Sequence, residues 1–403
     1  MWKTGTIGDV LSVIQNGVNC NQDKSGKGLK ITRIETIADA NINFNKTGFS
    51  NLDENQKQKA ALNKGDILFS HINSPIHVGK TAIYDGSEPL YHGINLLRLN
   101  TIYGVDSNYF NFFLQSLFWS GYWRRTAKQS VNQASVNQTD IKKIPFAYPP
   151  LAEQERIVAK LDTAFAEIDG AIEKAQAKEK EIQKLKASLL NISLSSDAVA
   201  SETLKLGDLC DVITKGTTPT SVGFKFESDG INFIKVESLT SNNGFIPGKF
   251  AKISTDCNES LKRSQLQKGD ILFSIAGALG RTAIVTEDIL PANTNQALAI
   301  IRLKSNIEID TRFLLYLLNS DTTREQSERN KGGVAQQNLS LTQLKNYDVY
   351  LPSFTEQQHI VARLDAAFNE LENANGAIKK SKLNYSSLKA AILTKELQSS
   401  EAA

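Results

Sequence analysis

The chain is poor in the residues that usually announce chemistry. Its 403 residues hold only three cysteines, four histidines, one methionine and three tryptophans. Cys20, Cys210 and Cys257 lie far apart with no C-x-x-C, which fits a reducing compartment and supplies no zinc signature. No apolar run reaches membrane-spanning length, and Met1-Trp2-Lys3-Thr4 opens no signal-peptide core, so a cytoplasmic protein is expected. Excess charge is small as well, +3 overall. Residues 1–147 carry 16 Lys/Arg against 11 Asp/Glu, and residues 204–350 carry 17 against 16. Charge alone does not point to nucleic acid; it gives the first half the stronger basic footprint.

Catalytic motifs are missing too. Gly79-Lys80-Thr81 fails as a phosphate-binding loop because Ser74 stands where the first glycine belongs, and its twin reads Gly280-Arg281-Thr282. Tyr148-Pro149-Pro150-Leu151 lacks the polar residue and the aromatic that an amino-methyltransferase loop uses to orient its target amine. No glycine-rich turn for a methyl donor accompanies it. His71 and His77 have no histidine partners in the second half and are expected to be solvated loop residues rather than metal ligands. No Ser-His-Asp or Cys-His arrangement occurs in both halves. No catalytic residue and no metal site are expected.

What the chain does have, it has twice. Pro149-Pro150-Leu151-Ala152-Glu153-Gln154 returns without a gap, 203 residues on, as Pro352-Ser353-Phe354-Thr355-Glu356-Gln357. Lys64-Gly65-Asp66-Ile67-Leu68-Phe69-Ser70 recurs letter for letter from Lys268 to Ser274. Gly8-Asp9-Val10, Gly79-Lys80-Thr81-Ala82-Ile83 and Leu97-Arg98-Leu99 return as Gly207-Asp208-Leu209, Gly280-Arg281-Thr282-Ala283-Ile284 and Ile301-Arg302-Leu303. Fixed block order with small drifts in offset means one architecture written twice.

After each proline comes a seven-residue apolar repeat. Leu161, Ile168, Ala175, Ile182 and Leu189 form one row; Leu364, Leu371, Ile378, Tyr385 and Ile392 form its partner. A second row three residues on holds Ala164, Ala171, Leu185 and Ile192, then Ala367, Ala374 and Leu388. This spacing predicts two long helices that pair through a supercoiled seam. Some 40 residues at about 1.5 Å each span roughly 60 Å, so they space things apart. Ser353 and Glu356 form a capping-box pattern for the second helix. Gly170 and Asn373 fall at equivalent mid-helix positions and Asn375-Gly376 lowers propensity further, so a kink or fraying is expected there.

Ahead of each helix, short β-branched runs predict strands: Asp66–Ser70, Thr81–Tyr84 and Leu96–Leu99, with Asp270–Ile275, Thr282–Val285 and Ala299–Leu303. Phe110–Phe118 and Phe313–Asn319 read as helices on those sheets, with most of the aromatic side chains in the core. The layout is a head over 1–148, a helix over 149–195, a second head with its linker over 196–350, and a second helix with a loose tail over 351–403. The fold class is α+β: two similar mixed heads, each followed by a long helix, the helices pairing as an antiparallel coiled coil with pseudo-twofold symmetry.

Polar loops complete the pattern. Arg124-Arg125 leads to Lys128, Gln129, Asn132 and Gln133, and Arg329 leads to Lys331, Gln336 and Gln337. Arginine suits guanine, and Asn or Gln suits adenine, because each makes two hydrogen bonds in the major groove; Lys, Ser and Thr suit phosphates. Further candidates by loop position are Asn73, Ser74 and Lys80, then Lys215, Thr217, Thr218, Arg281, Asn295 and Gln296. Arg33, Lys235, Arg98 and Arg302 recur and are read as structural or phosphate-binding.

The doubled Pro-x-x-x-Glu-Gln helix start and the doubled Lys-Gly-Asp-Ile-Leu resemble the specificity subunit of type I restriction–modification systems, over essentially the whole chain. That resemblance implies that each head is a target-recognition domain reading one half of an asymmetric bipartite double-stranded DNA site. It implies that the helices set the spacing and dock two modification (methyltransferase) subunits, with ATP-dependent restriction subunits joining that core. S-adenosylmethionine, ATP and magnesium are then expected on the partners and none on this chain, which is expected to be non-catalytic. Two other readings compete: a methyltransferase with its own recognition domains, and a coiled-coil adaptor without a DNA role. Binding of S-adenosylmethionine by the chain alone would mark the first, and absence of sequence-dependent DNA retention the second.

Overall fold

A computed structural model describes residues 2–38, 40–194, 202–240, 242–329 and 338–398. The contacts divide the chain into two compact units, Met1–Gln176 with Lys379–Ala403, and Ala177–Ile378. Each unit therefore combines a head, the start of the helix that follows it, and the end of the other helix.

In the first unit the relevant elements are β1 (Leu11–Asn16), β2 (Ile67–Phe69), β3 (Ile72–Asn73), β4 (Thr81–Ile83), β5 (Leu97–Thr101), α1 (Ser107–Trp119), α2 (Tyr122–Thr126), β6 (Lys128–Ser130) and β7 (Gln133–Ser135). From here α3 (Leu151–Ser193) runs on into the second unit. A four-stranded sheet has the order β1-β5-β2-β4, and all its neighbours are antiparallel. β2 is apolar at every position because both its faces are covered. Ile67 and Phe69 join Leu97, Leu99 and Phe110 in one core, while Leu68 joins Ala82, Leu90 and Leu96 in another. Asp106 starts α1 by accepting from the Tyr109 amide at 2.8 Å. Of the aromatic residues there, Phe110, Phe112 and Trp123 are buried, and Trp119 is exposed.

The second unit repeats this plan with β8 (Cys210–Lys215), β9 (Ile271–Ser274), β10 (Thr282–Ile284), β11 (Leu298–Leu303), α4 (Thr311–Leu318), α5 (Asp321–Arg329) and α6 (Phe354–Gln398), whose sheet order is β8-β11-β9-β10. Strand register corrects one pairing of the repeat. Ile67 faces Leu99 and Ile271 faces Ile301, so Leu97-Arg98-Leu99 corresponds to Ala299-Ile300-Ile301, two residues earlier than the matching letters. A two-residue slip keeps the same side chains inward, which is why the letters still match. Arg302 therefore stands where Asn100 stands, and both bind the aspartate of the Lys-Gly-Asp turn. Arg302 Nε and Nη2 donate to Asp270 at 2.7 Å each, and Asn100 Nδ2 donates to Asp66. Asp66 and Asp270 also accept from the Asn63 and Gln267 amides at 2.9 and 2.7 Å. The recurring arginines Arg98 and Arg302 are structural, since Arg98 also binds the Ala61 carbonyl at 2.9 Å.

The helices are held to the heads by a buried glutamine. Gln154 Oε1 accepts from the Asp106 amide at 2.8 Å, and its Nε2 donates to the carbonyls of Gly104 and Pro149 at 3.1 and 2.8 Å. Gln357 does the same with Asp310, Glu308 and Pro352 at 2.8, 3.2 and 2.9 Å. A second shared lock is aromatic. Phe165 packs edge-on against Phe112 at 5.6 Å, and Lys389 lies over its ring while its Nζ donates to Asp169 at 2.5 Å. In the other unit Phe368, Tyr316, Lys186 and Glu372 repeat that set, with ring centroids 5.6 Å apart and an ion pair of 2.6 Å. Within each unit the two helical segments thus run antiparallel. In the first, Lys160 meets Glu396 at 2.7 Å, and nine residues later Asp169 meets Lys389.

Leu161, Ile168, Ala175, Ile182 and Leu364 are buried, and Leu189, Leu371, Ile378, Tyr385 and Ile392 are half-buried. Of the expected second row, Ala164, Ala171 and Ala367 are half-buried, while Leu185, Ile192, Ala374 and Leu388 are exposed. Positions four residues on, at Phe165, Ile172 and Lys186, are half-buried as well, because each helix faces its head as well as the other helix. The expected fraying is absent: α3 passes Gly170 and α6 passes Asn373 to Gly376 with helical backbone throughout. Tertiary packing outweighs the weak propensity there. Residues 195–201 and the tail from 399 lie outside the described residues.

Candidate nucleic-acid interface

Sheet register brings the loops that carry Asn73, Ser74 and Lys80, and those that carry Lys215, Arg281 and Gln296, to one end of each head. Asn16 faces Leu97, Leu97 faces Phe69, and Phe69 faces Thr81, so the loops after β1, after β2 and before β5 share an edge. In the second unit Lys215 faces Ala299, as Phe273 does, and Phe273 faces Thr282. Gln154 and Gln357 hold the opposite ends. Two repeated glycines let this edge close. A Cβ on Gly17 would sit 2.3 Å from the His92 carbonyl oxygen, and one on Gly216 would sit 1.8 Å from that of Thr294.

The edge of the first head carries a second sheet of order β3-β7-β6. Ala127, Ala134 and Val136 root it in the core, and the Val136 amide donates to the His71 carbonyl at 2.9 Å. Beyond that root Lys128, Gln129, Ser130, Val131, Asn132 and Gln133 are all exposed, as are Arg124 and Arg125 on α2. The pairs Gln133–Ser130 and Ser135–Lys128 put Lys128, Ser130 and Gln133 on one face. Gln129 is on the other, where its Nε2 donates to the Arg124 carbonyl at 3.1 Å. Asn132 takes the left-handed turn position with φ 60°.

Arg125 Nη1 donates to the Ser120 carbonyl at 2.8 Å, and other candidates are likewise engaged within the protein. Asn73 Nδ2 donates to Ser70 Oγ at 3.0 Å and its Oδ1 accepts from the Ser74 amide at 2.8 Å, which shapes the loop. Lys80 Nζ donates to the Ala38 carbonyl and faces the Phe118 ring, so it braces the fold rather than presenting a free cation. Arg281 Nη1 donates to the Leu239 carbonyl at 3.2 Å. Thr218 Oγ1 donates to Gln296 Oε1 at 2.5 Å and Asn295 Oδ1 accepts from the Ala297 amide at 3.2 Å, while Lys215 and Gln296 are exposed and Thr217 is half-buried. Lys331, Gln336 and Gln337 lie outside the described residues, as does the side chain of Arg329 at the end of α5. Arg33 pairs with Glu35 at 3.3 Å, and Lys235 stands 4.3 Å above the Phe226 ring.

Sequence reasoning missed Asn16 and Val131 at this edge, and it placed Gln138 in the polar loop without singling it out. Gln138 Nε2 donates to Asn16 Oδ1 at 3.1 Å, and Asn16 Nδ2 lies 3.2 Å from His71 Nε2. His71 is buried rather than solvated, and burial lowers its pKa; His77 is the exposed one. Among the described residues no group of three metal-ligating side chains comes together, and no helix is long and apolar enough to cross a membrane.

Beneath the edge, His92 is fully buried, and burial pushes its pKa down to about 4. The folded head therefore binds this proton less readily than the unfolded chain, whose histidine titrates near 6.5. The neutral ring's stability contribution is complete above about pH 6.5 and is lost as pH falls toward 4, by up to about 3 kcal/mol. Thermal unfolding of the first unit should show this slope between pH 6.5 and 4, and His92→Thr, which copies Thr294 of the other unit, should reduce it to the part that buried His71 contributes. An unchanged slope would count against the assignment.

A family model described as the type I restriction modification DNA specificity domain matches residues 1–182 and again 199–380. The chain is 31% identical over 388 residues to the putative type I restriction enzyme MjaX specificity subunit of Methanocaldococcus jannaschii, covering 92% of this chain and 88% of that one. It is 27% identical over 290 residues to the EcoBI specificity subunit of Escherichia coli, covering 66% and 60%. Its fold is similar to a chain from a structural study of type I R–M complex assembly, with TM-score 0.71, 19% identity, and 98% and 97% covered. The HsdS subunit from Thermoanaerobacter tengcongensis matches at TM-score 0.50 and 19% identity over 98% and 96%.

Proposed function

Since the chain belongs to the family of type I restriction–modification DNA specificity subunits, we propose that each head reads one half of an asymmetric bipartite DNA site. The helices set the gap between the halves and dock the methyltransferase subunits. The observation that carries this reading is the repeated sheet edge, built on one framework in both heads but furnished with different side chains. A shared framework gives both heads one docking geometry, and unlike side chains make the two half-sites differ.

The chain itself acts without catalysis. Cutting and methylation belong to restriction and modification subunits, which would bring ATP, magnesium and S-adenosylmethionine. Replacing residues 1–147 by the equivalent head of another specificity subunit should change one half-site only, read by methylome sequencing. A change in both half-sites would refute the division of labour.

A further inference from the structure

The tip of the β6–β7 hairpin presents an apolar side chain outward, in a run of base-reading polar ones. Val131 is 93% exposed, between Ser130 and Asn132. It does not shield the core, because the hairpin is already rooted by Ala127, Ala134 and Val136. The segment that carries it is polar, and its charges are of one sign. Between Asp106 and Asp140 there is no acidic residue, while Arg124, Arg125 and Lys128 are all exposed. None of these three forms an ion pair among the described residues.

We propose that Val131 is a specificity-determining residue whose methyl groups meet the C5-methyl of a thymine in the major groove. The proposal rests on the DNA-reading role above. A two-stranded ribbon fits the major groove, where the thymine methyl is the one apolar feature that distinguishes a base pair. Lys128, Arg124 and Arg125 are suited to the phosphates along the groove walls. Gln133 and Asn132, beside Val131, are the groups that pair with an adenine edge. The rigid root and the closed Gln133–Ser130 pair leave the tip little to lose on binding.

The test uses the full chain assembled with its methyltransferase subunits, on a site first defined by methylome sequencing. Each thymine of the half-site read by residues 1–147 is replaced singly by deoxyuridine, which lacks only the methyl group. At one position the wild-type complex should bind roughly three- to five-fold more weakly, the worth of one buried methyl. Val131→Ala should bind the thymine and uracil duplexes alike at that position and keep its response elsewhere. Because the side chain is exposed, the variant keeps its fold, and an unchanged melting curve verifies that. An unaltered uracil penalty in Val131→Ala overturns the proposal, as does a half-site without an A·T pair. If the wild-type complex retains no duplex in a sequence-dependent way, the DNA-reading role falls with it. If specific retention persists and only the Val131 response is missing, that role stands and this inference alone fails.

Discussion

Alanine in place of Gln154 lowers the thermal midpoint of the first unit by roughly 5–12 °C, the expected consequence of about 2–4 kcal/mol. The side chain is fully buried and answers one backbone amide and two carbonyls. Truncation leaves all three without a protein partner at the place where the head meets its helix. The Asp106 amide also begins the turn whose carboxylate caps α1, so the loss spreads to that helix end. Gln357→Ala should do the same to the second unit, since its three bonds repeat the first set within 0.1 Å. Gln154→Glu discriminates a hydrogen-bond role from mere space filling. It keeps the acceptor for the Asp106 amide but turns an acceptor toward two carbonyls. Burial and those carbonyls would raise the new carboxyl's pKa, so this variant should regain stability as pH falls through that raised value and lose it as pH rises. Differential scanning calorimetry reads all three variants. A midpoint within 1 °C of wild type for both alanine variants would mean that the glutamines do not hold heads to helices.

That weld illustrates what a sequence displays and what it conceals. The repeated Glu-Gln after the prolines is visible as letters, and so is the seam through Leu161, Ile168, Ala175 and Ile182, because a seven-residue period is a one-dimensional signal. The partners of Gln154 are backbone groups at 104, 106 and 149, and nothing in their side chains announces them. The same limit explains the second helical row. Leu185 and Leu388 satisfy the period, yet the heads draw packing toward Phe165 and Phe368, four residues past the seam. In the candidate interface, loop position brought Gln129 and Gln133 forward together. Only the hairpin register, with Gln129 opposite the buried Ala134, separates the one turned toward α2 from the one turned outward. Val131 was invisible for a simpler reason: an apolar residue in a polar run looks like noise until its exposure is known.

Adding one heptad to each helix, seven residues within 170–185 and seven within 373–388, should lengthen the gap in the recognised site and leave its bases unchanged. Seven residues preserve the phase of the seam, so Ile168 and Ile182 keep the same face on either side of the insertion. The added rise is about 10 Å, which corresponds to roughly three base pairs at 3.4 Å each. Neither head is touched, because Gln154 with Phe165 and Gln357 with Phe368 lie outside both insertions. Methylation of the original site should fall by more than about 100-fold, since one head can then contact its bases only at the expense of the other's, and each mismatched base pair alone costs about 1–3 kcal/mol. An insertion of five residues in each helix serves as the contrast. It turns the apolar rows away from each other, and it should destabilise the helix pair instead of moving the gap. Methylome sequencing of cells carrying the heptad variant supplies the result directly. Two half-sites with the same bases at the old distance, in a complex that still methylates, would show that something other than the helices measures the gap.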